Sequence, residues 1–301
     1  MTVGKAIRTG LRAGRRHAWM VLIFYACNLL LAAIIAAPMY EAIDAHLSHS
    51  ATAQSLANGF DLGWLMQFEI ANGDLLQHTA TLIVWTGVLF LALNTILSAG
   101  AFEVFAGADG SRLSSFGYGM GHFFFRFARL VAIASVFYFV AFLFWNVLIT
   151  RALAAAFRDS VREAPLFYLT WLRLALLFAT VFVINVIVDY AKADLVLDDH
   201  SSVLGALGHA VGFVLSRFGR VMAIYLALGL LTVIAIFLYS AFARFFPQSS
   251  VATVFLWFVV SQALLFVRWM FRLAQWAAAL AFYRREPDLD TLPIEAQVEP
   301  V

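Results

Sequence analysis

The sequence predicts an all-α polytopic membrane protein, a bundle of six transmembrane helices, and three observations support this fold class. Hydrophobic residues make up 63% of the 301 residues and charged residues only 13%, whereas a soluble domain carries roughly 25% charged residues. The mean hydropathy is +0.87. The apolar residues are gathered into six runs, each close to the roughly 20 residues that cross a bilayer as a helix. Such a chain cannot cover its own surface in water, so we expect the excess apolar surface to face lipid.

Each run is continuously apolar and lacks the alternating pattern of barrel strands, so we interpret all six as helices. The first run is longer than the apolar core of a cleaved signal peptide, which indicates a retained span. The last stays apolar to Tyr283, and we expect it to tilt or to continue along the membrane surface. We predict one transmembrane domain over residues 1–285, an external loop at 40–80 and a flexible cytoplasmic tail at 286–301. The predicted spans are residues 18–38, 81–102, 130–150, 166–188, 221–242 and 251–271.

The placement of basic residues predicts the orientation, because positively charged short loops stay on the cytoplasmic side. Five lysines and arginines precede the first span, and none occurs between Arg16 and Arg112. We therefore place the loop at 40–80 outside and both termini in the cytoplasm of a cell (inner) membrane. The net charge of +2 gives no reason to expect a nucleic-acid partner. The single cysteine, Cys27, excludes an intrachain disulfide and a cysteine metal site.

A repeat is visible when the chain is compared with itself at an offset of 91 residues. Residues 91–133 then match residues 182–224 without a gap, with eleven identities in 43 positions. Arg-Phe-x-Arg occurs in both copies, and a third Arg-x-x-Arg precedes the first span. The pattern suggests three units, each with a surface helix, an arginine junction and a helical hairpin. The units share one orientation, unlike the inverted repeats of many transporters, and the signature of the three-hairpin mitochondrial carriers is absent.

Each arginine pair places two side chains on one helix face. At the inner boundary their stems lie along apolar surface while the guanidinium groups reach phosphate oxygens. The segments 111–125 and 202–216 are apolar and nearly uncharged, and we predict interfacial helices capped by Ser111 and Ser202. The pairs are candidates for lipid-headgroup or partner docking, although ordinary anchoring by positive charge is the simpler explanation. These headgroup candidates are Arg12, Arg15, Arg126, Arg129, Arg217 and Arg220.

Arg268 and Arg272 lie four residues apart in the sixth run and project from one helix face. A charged side chain near the bilayer centre costs about 2.5–3.5 kcal/mol on insertion scales, so it needs a partner. We predict that at least one of the two pairs with a carboxylate at similar depth. A structural ion cluster and a substrate site both fit this pattern, and the structural reading is the simpler one. The candidate polar cluster comprises Arg268, Arg272, Asp189, Asp194, Glu103 and the repeat-related asparagines Asn94 and Asn185.

The sequence offers little that suggests catalysis. His46 and His49 lie near Glu41 and Asp44, a grouping that can ligate zinc on a helix. The zincin pattern His-Glu-x-x-His is missing, and solvated loop histidines are the simpler interpretation. No glycine-rich phosphate loop, Gly-x-Ser-x-Gly elbow or dinucleotide fingerprint occurs. We therefore predict no catalytic residue, no metal site and no cofactor.

Three features carry a resemblance to known proteins. They are the arginine junctions, the stretch Asp-Tyr-Ala-Lys-Ala-Asp at 189–194, and the stretch Gly-Phe-Asp-Leu-Gly-Trp at 59–64. With these the chain resembles a group of bacterial six-span membrane proteins without assigned activity. It is also distantly similar to the membrane domain that accompanies some glycerophosphodiester phosphodiesterases. The catalytic residues of the phosphodiesterase domain are absent, so the resemblance implies no enzymatic activity.

These observations lead to an expectation about function. We expect a non-enzymatic integral membrane protein of accessory or scaffold type, which contacts membrane lipid, a protein partner or a second copy through cytoplasmic surface helices. The alternative is a transporter of a small solute or lipid with the inner polar cluster as its site. An intramembrane enzyme acting on lipid is a third interpretation. A continuous polar cavity reaching Asn94, Asn185 and Arg268 would favour transport, whereas closed packing would favour the accessory role.

Overall fold

A computed structural model describes residues 1–48, 56, 61–107, 112–157, 163–199, 201–245 and 250–285. All regular structure in these ranges is helical, and no strand occurs in them. The helices are α1 (Val3–Arg16), α2 (Ala18–Leu47), α3 (Leu62–Ala71), α4 (Gly73–Ala106), α5 (Arg112–Leu143), a π-helical segment (Phe144–Leu148), α6 (Ile149–Ala156), α7 (Glu163–Leu197), α8 (Val203–Ser216), α9 (Phe218–Phe245) and α10 (Val251–Arg285).

Six of these helices are long and apolar enough to cross a membrane, which confirms the predicted fold class. Between 6% and 28% of the residues in the most apolar stretch of each span are buried within the chain, so most of these side chains are left to face lipid. The protein is therefore a multi-pass integral membrane protein.

The helices extend beyond the apolar runs that predicted them. Helix α2 continues through Pro38 to Leu47, and α3 and the start of α4 lie in the predicted external loop. The sixth span continues as one unbroken helix of 35 residues to Arg285, about 52 Å long at 1.5 Å per residue. That length exceeds the roughly 30 Å of a hydrocarbon core. The predicted tail at 286–301 lies outside the described residues.

The chain divides into two compact units, of which the smaller comprises Leu22–Asn94. Its helix α3 is capped by Asp61, whose side chain accepts a hydrogen bond from the Trp64 backbone N–H at 3.2 Å. The Trp64 and Phe68 rings stack with centroids 5.2 Å apart, and His46 meets both rings edge-on. No group of metal-binding side chains occurs within the described part of the chain, and His49 of the zinc hypothesis lies outside it.

The larger unit comprises Met1–Val21 and Thr95–Val301. Its short helix α1 packs against α10 through a stripe of small buried residues, Ala6, Gly10 and Gly14. A Cβ atom at Gly10 would lie 2.3 Å from the Ala274 carbonyl oxygen and 2.8 Å from the Ala278 Cβ. The two helices therefore meet with their backbones nearly in contact, as small-residue stripes permit in membrane proteins.

The helix bounds follow the sequence repeat. Helices α4 and α7 end 91 residues apart, and so do the starts of α5 and α8. The prediction of two separate interfacial helices is only half right. Helix α8 ends before Arg217, as expected, but α5 runs without a break from Arg112 through Arg126 to Leu143. The two junctions differ at the third position, Ala128 in α5 and Gly219 in α9, and glycine costs a helix about 1 kcal/mol relative to alanine.

The third unit also has a counterpart in the structure. Helices α1 and α8 both contain 14 residues and are each joined to the next span by one non-helical residue, His17 and Arg217. The arginines of the third unit are not in the equivalent place, because Arg12 lies within α1 whereas Arg217 is the junction itself. Ser202 caps α8 as predicted and accepts a hydrogen bond from the Gly205 N–H at 3.2 Å. Ser111, the other predicted cap, lies outside the described residues.

Candidate functional site

The centre of the polar cluster is Asp189, a fully buried carboxylate near the end of α7. Helix α10 supplies Arg272, whose Nη1 lies 3.0 Å from Oδ2 and whose Nη2 donates to Oδ1 at 3.2 Å. The Tyr225 hydroxyl of α9 donates to Oδ2 and the Trp276 indole N–H of α10 donates to Oδ1, each at 3.1 Å. Three helices thus converge on one carboxylate, and both of its oxygens receive protein donors.

Arg272 makes several contacts in addition to its ion pair with Asp189. Besides Asp189, it donates to the Asn185 side-chain oxygen at 3.2 Å and to the Gln275 side-chain oxygen at 3.3 Å. Its guanidinium carbon also lies 5.1 Å from the centroid of the Trp276 ring. The expected ion pair between an arginine of the sixth span and a carboxylate at similar depth is therefore present. A buried pair is tolerated when such extra hydrogen bonds compensate the loss of water.

Lys192 follows Asp189 by one helical turn and was not part of the predicted polar cluster. Only 8% of this residue is exposed. Its ammonium nitrogen lies 5.7 Å from the Phe127 ring centroid and 5.5 Å from the Trp276 ring centroid, which is cation–π geometry. The Asp-x-x-Lys spacing in an apolar span was the signal that could have identified it.

Asp194 does not join this cluster. It is fully buried and accepts a hydrogen bond from the Tyr283 hydroxyl of α10, while His209 Nδ1 of α8 lies 3.6 Å from its Oδ2. The Tyr190 ring packs between the two centres, with its centroid 6.2 Å from those of both Tyr225 and Tyr283. The carboxylates grouped by the sequence thus form two centres, because five residues on a helix turn a side chain to another face.

The remaining members of the predicted cluster lie elsewhere. Glu103 is buried against α5, where a Cβ atom on Gly119 would come within 2.5 Å of the Glu103 Cβ. Arg268 is exposed, and no carboxylate of the described ranges pairs with it. Asn94 belongs to the smaller unit and donates to the Phe90 carbonyl of its own helix at 2.9 Å. Of the two repeat-related asparagines, Asn185 alone contacts Arg272.

A further polar contact that the sequence did not predict surrounds Arg173 of α7. Its Nη1 donates to the Asn146 side-chain oxygen at 3.2 Å, to the Trp145 carbonyl at 3.4 Å and to the Thr150 hydroxyl. Trp145 and Asn146 belong to the π-helical segment. The wider turn of a π-helix shifts backbone hydrogen bonds, and here one of its carbonyls accepts from the arginine.

The arginines predicted to bind lipid headgroups have different surroundings in the structure. Arg126 pairs with Asp199 of the turn after α7, and His122 Nε2 lies 3.3 Å from the same carboxylate. The hydrogen bond from Arg126, followed by that from His122, holds the pKa of Asp199 below its ordinary value. The Arg217 guanidinium lies 4.6 Å from the Phe213 ring centroid. Arg129 and Arg220 are exposed.

Helix α1 carries Arg12 and Arg15 among five exposed cations, and none of the five forms an ion pair with a residue that the structure describes. Its buried face is fixed against α10 by small side chains, so the basic face is turned outward. These cations are Lys5, Arg8, Arg12, Arg15 and Arg16.

Compared with known proteins, the chain matches no family model, and no curated protein or solved structure shows significant similarity to it.

Proposed function

We propose that this integral membrane protein is a non-enzymatic accessory component that holds anionic lipid headgroups at one membrane surface through α1. The observation that carries the proposal is the basic face of α1. Lys5, Arg8, Arg12 and Arg15 follow a spacing of three or four residues and are all exposed, so they project from one side of the helix. The opposite side is docked on α10.

The position of α1 fits lipid contact. One residue, His17, separates the C-terminal end of α1 from the first span, so that end adjoins the apolar span. Each lysine or arginine near an anionic membrane surface contributes about 1 kcal/mol of attraction. That attraction falls off within a Debye length, about 8 Å at physiological salt. The cations of the C-terminal turn of α1 are therefore the closest to that surface.

The inner polar cluster supports transport less well. Both oxygens of Asp189 accept hydrogen bonds from protein groups, and Arg272 is held by Asp189, Asn185 and Gln275. A substrate would have to displace these contacts, each of which offsets part of the cost of burying a charge. The geometry favours a cluster that fixes α7, α9 and α10 together.

The test is the lipid preference of the purified full-length chain, measured by native mass spectrometry during titration with phosphatidylglycerol and phosphatidylcholine. The test variant is Lys5→Gln/Arg8→Gln/Arg12→Gln/Arg15→Gln. We expect its preference for phosphatidylglycerol to fall at least about tenfold, given the attraction per charge. The matched control, Arg8→Lys/Arg12→Lys/Arg15→Lys, keeps the charge and should keep the preference. An unchanged preference in the glutamine variant would refute the proposal.

A further inference from the structure

A cavity of about 310 Å³ lies beside α1, between its C-terminal turn, the end of α4 and the end of α10. Pockets that bind small molecules begin at roughly this volume. All of its described lining residues belong to the larger unit of the fold. Those that matter to the argument are Thr9, Arg16, His17, Phe105, Leu280 and Arg284.

The charge of the cavity is of one sign. Arg16 and Arg284 line it from two different helices, and none of the described lining residues is acidic. Arg284 Nη1 donates to the carbonyl of Ala106, the last residue of α4, at 3.1 Å. That bond fixes the guanidinium at the cavity, and a guanidinium has five N–H donors. Two guanidinium groups at one cavity match the charge of a phosphate and offer it hydrogen-bond donors.

His17 supplies a polar atom that the fold leaves unused. Its Nδ1 is buried and has no hydrogen-bond partner within the described ranges, and its ring meets Phe105 edge-on with centroids 5.8 Å apart. A buried polar atom without a hydrogen-bond partner destabilises the fold. His17 lines the cavity, so a ligand that turns the ring toward it would satisfy this atom.

Apart from Thr9, the rest of the described wall has no polar side chain. Ala277, Leu280 and Ala281 of α10 lie on one side, and Val104 and Phe105 of α4 lie on the other. A free inorganic anion would leave this surface without a partner, whereas an ester with an apolar body would cover it. The cavity therefore has one polar region and one apolar region, which suits an amphiphile.

We propose that this cavity binds a phosphate group that carries an apolar body, with Arg16 and Arg284 as its counter-charges and His17 Nδ1 as a hydrogen-bond partner. The inference rests on the proposed lipid contact and narrows it to one bound molecule. A phospholipid headgroup and a soluble phosphate share the recognised chemistry, and the experiment distinguishes these two sources.

The experiment uses native mass spectrometry of the full-length chain with dioctanoyl phosphatidic acid, dioctanoyl phosphatidylcholine and inorganic phosphate as probes. In Arg16→Gln/Arg284→Gln we expect the affinity for phosphatidic acid to fall by about tenfold or more, or about 1.4 kcal/mol. Ala281→Phe fills the cavity without changing charge and should give a similar loss. Arg268→Gln is the matched control, because Arg268 is exposed on the same helix as Arg284 and belongs neither to the α1 surface nor to the cavity residues.

Equal losses in Arg268→Gln and in the double variant would overturn the cavity site. Displacement of phosphatidic acid by an equal concentration of inorganic phosphate would overturn the requirement for an apolar body. The results can refute the cavity site without refuting the proposed lipid contact of the α1 surface. If neutralising the α1 surface abolishes the phosphatidylglycerol preference while Ala281→Phe binds phosphatidic acid normally, the surface role stands and the cavity site falls.

A second readout is the titration of His17 followed by NMR of labelled histidines. Burial is the largest cause that lowers the pKa of His17, and the positive charges of Arg112 and Arg16 lower it further. Arg284 of α10 lines the same cavity. A phosphate bound among these groups should raise the pKa of His17, because it stabilises the imidazolium. No rise on saturation with phosphatidic acid would contradict the assignment of Nδ1.

Discussion

The charges around Asp189 and those on α1 lie in the same compact unit but in opposite physical situations. The Asp189 carboxylate is fully buried and receives donors from Arg272, Tyr225 and Trp276. The cations of α1 are exposed and have no ion-pair partner in the described chain. The comparison separates charges that hold helices together from charges that are available to a ligand.

The difference has an energetic basis. Moving a charge out of water costs several kcal/mol unless hydrogen bonds and an opposite charge compensate it. The Asp189 centre provides both kinds of compensation within the chain. The α1 cations stay hydrated, so leaving them without an ion-pair partner has no desolvation cost. They are stabilised most when an anionic membrane surface is near. The predictions below test this contrast, beginning with the largest expected effect.

Removing the charge partner of Asp189 should have the largest effect on stability. In Arg272→Met the buried carboxylate loses its counter-charge, and breaking a buried pair costs about 3–5 kcal/mol. The measurement is the free energy of unfolding, or the melting temperature, of the purified chain in one detergent. The control Asp189→Asn/Arg272→Met removes both charges. Its amide oxygen can accept from the Trp276 N–H, and its amide NH2 can donate to the Tyr225 hydroxyl oxygen, so it should regain at least half of the loss. A single variant as stable as the native chain would contradict the structural role of the pair.

A substitution that separates α1 from α10 should have the next largest effect on stability. In Gly10→Leu the new side chain meets the Ala274 backbone 2.3 Å from its Cβ, and overpacking of this kind costs about 1–3 kcal/mol. Gly4→Leu is the matched control on the same helix, because nothing lies within 4 Å of its Cβ position. Hydrogen exchange of the α1 amides should rise in Gly10→Leu alone. Equal exchange in the two variants would show that α1 is not held by the small-residue stripe.

The smallest effect should come from the exposed pair of Arg126 and Asp199. Because the pKa of Asp199 is lowered in the folded chain, its contribution is present above the ordinary value of 3.8 and is lost as the pH falls through the folded value. The Asp199 side chain is 66% exposed, so we expect about 0.2–1 kcal/mol. The stability of Asp199→Asn should approach that of the native chain as the pH drops below 4. A difference that grows on acidification would contradict this sign.

Much of the fold could be predicted from the sequence because the bilayer imposes its own length scale. The six spans followed from runs of apolar residues. That Arg268 or Arg272 pairs with a carboxylate followed from the cost of an intramembrane charge, but not which of the two does so. The choice of Asp189 over Asp194 could not be predicted. Both carboxylates lie near the end of α7, and only the packing of α9 and α10 determines which one receives the arginine.

Local sequence also left the ends of some helices undecided. At Arg217 the Arg-Phe-x-Arg motif interrupts the helix. At Arg126 the helix continues through the same motif. One glycine in place of alanine shifts the balance by about 1 kcal/mol, which is small beside the packing of a whole helix. The cavity beside α1 was hidden for a related reason, because Arg16 and Arg284 come from opposite ends of the chain and meet only in the folded unit.

The most direct test of the contrast compares two variants in one lipid-binding experiment. Native mass spectrometry with equal phosphatidylglycerol and phosphatidylcholine would be applied to Lys5→Gln/Arg8→Gln/Arg12→Gln/Arg15→Gln and to Asp189→Asn/Arg272→Met. The account predicts that the ratio of phosphatidylglycerol to phosphatidylcholine adducts drops in the first variant and is unchanged in the second. A drop in the second variant with no change in the first would contradict it.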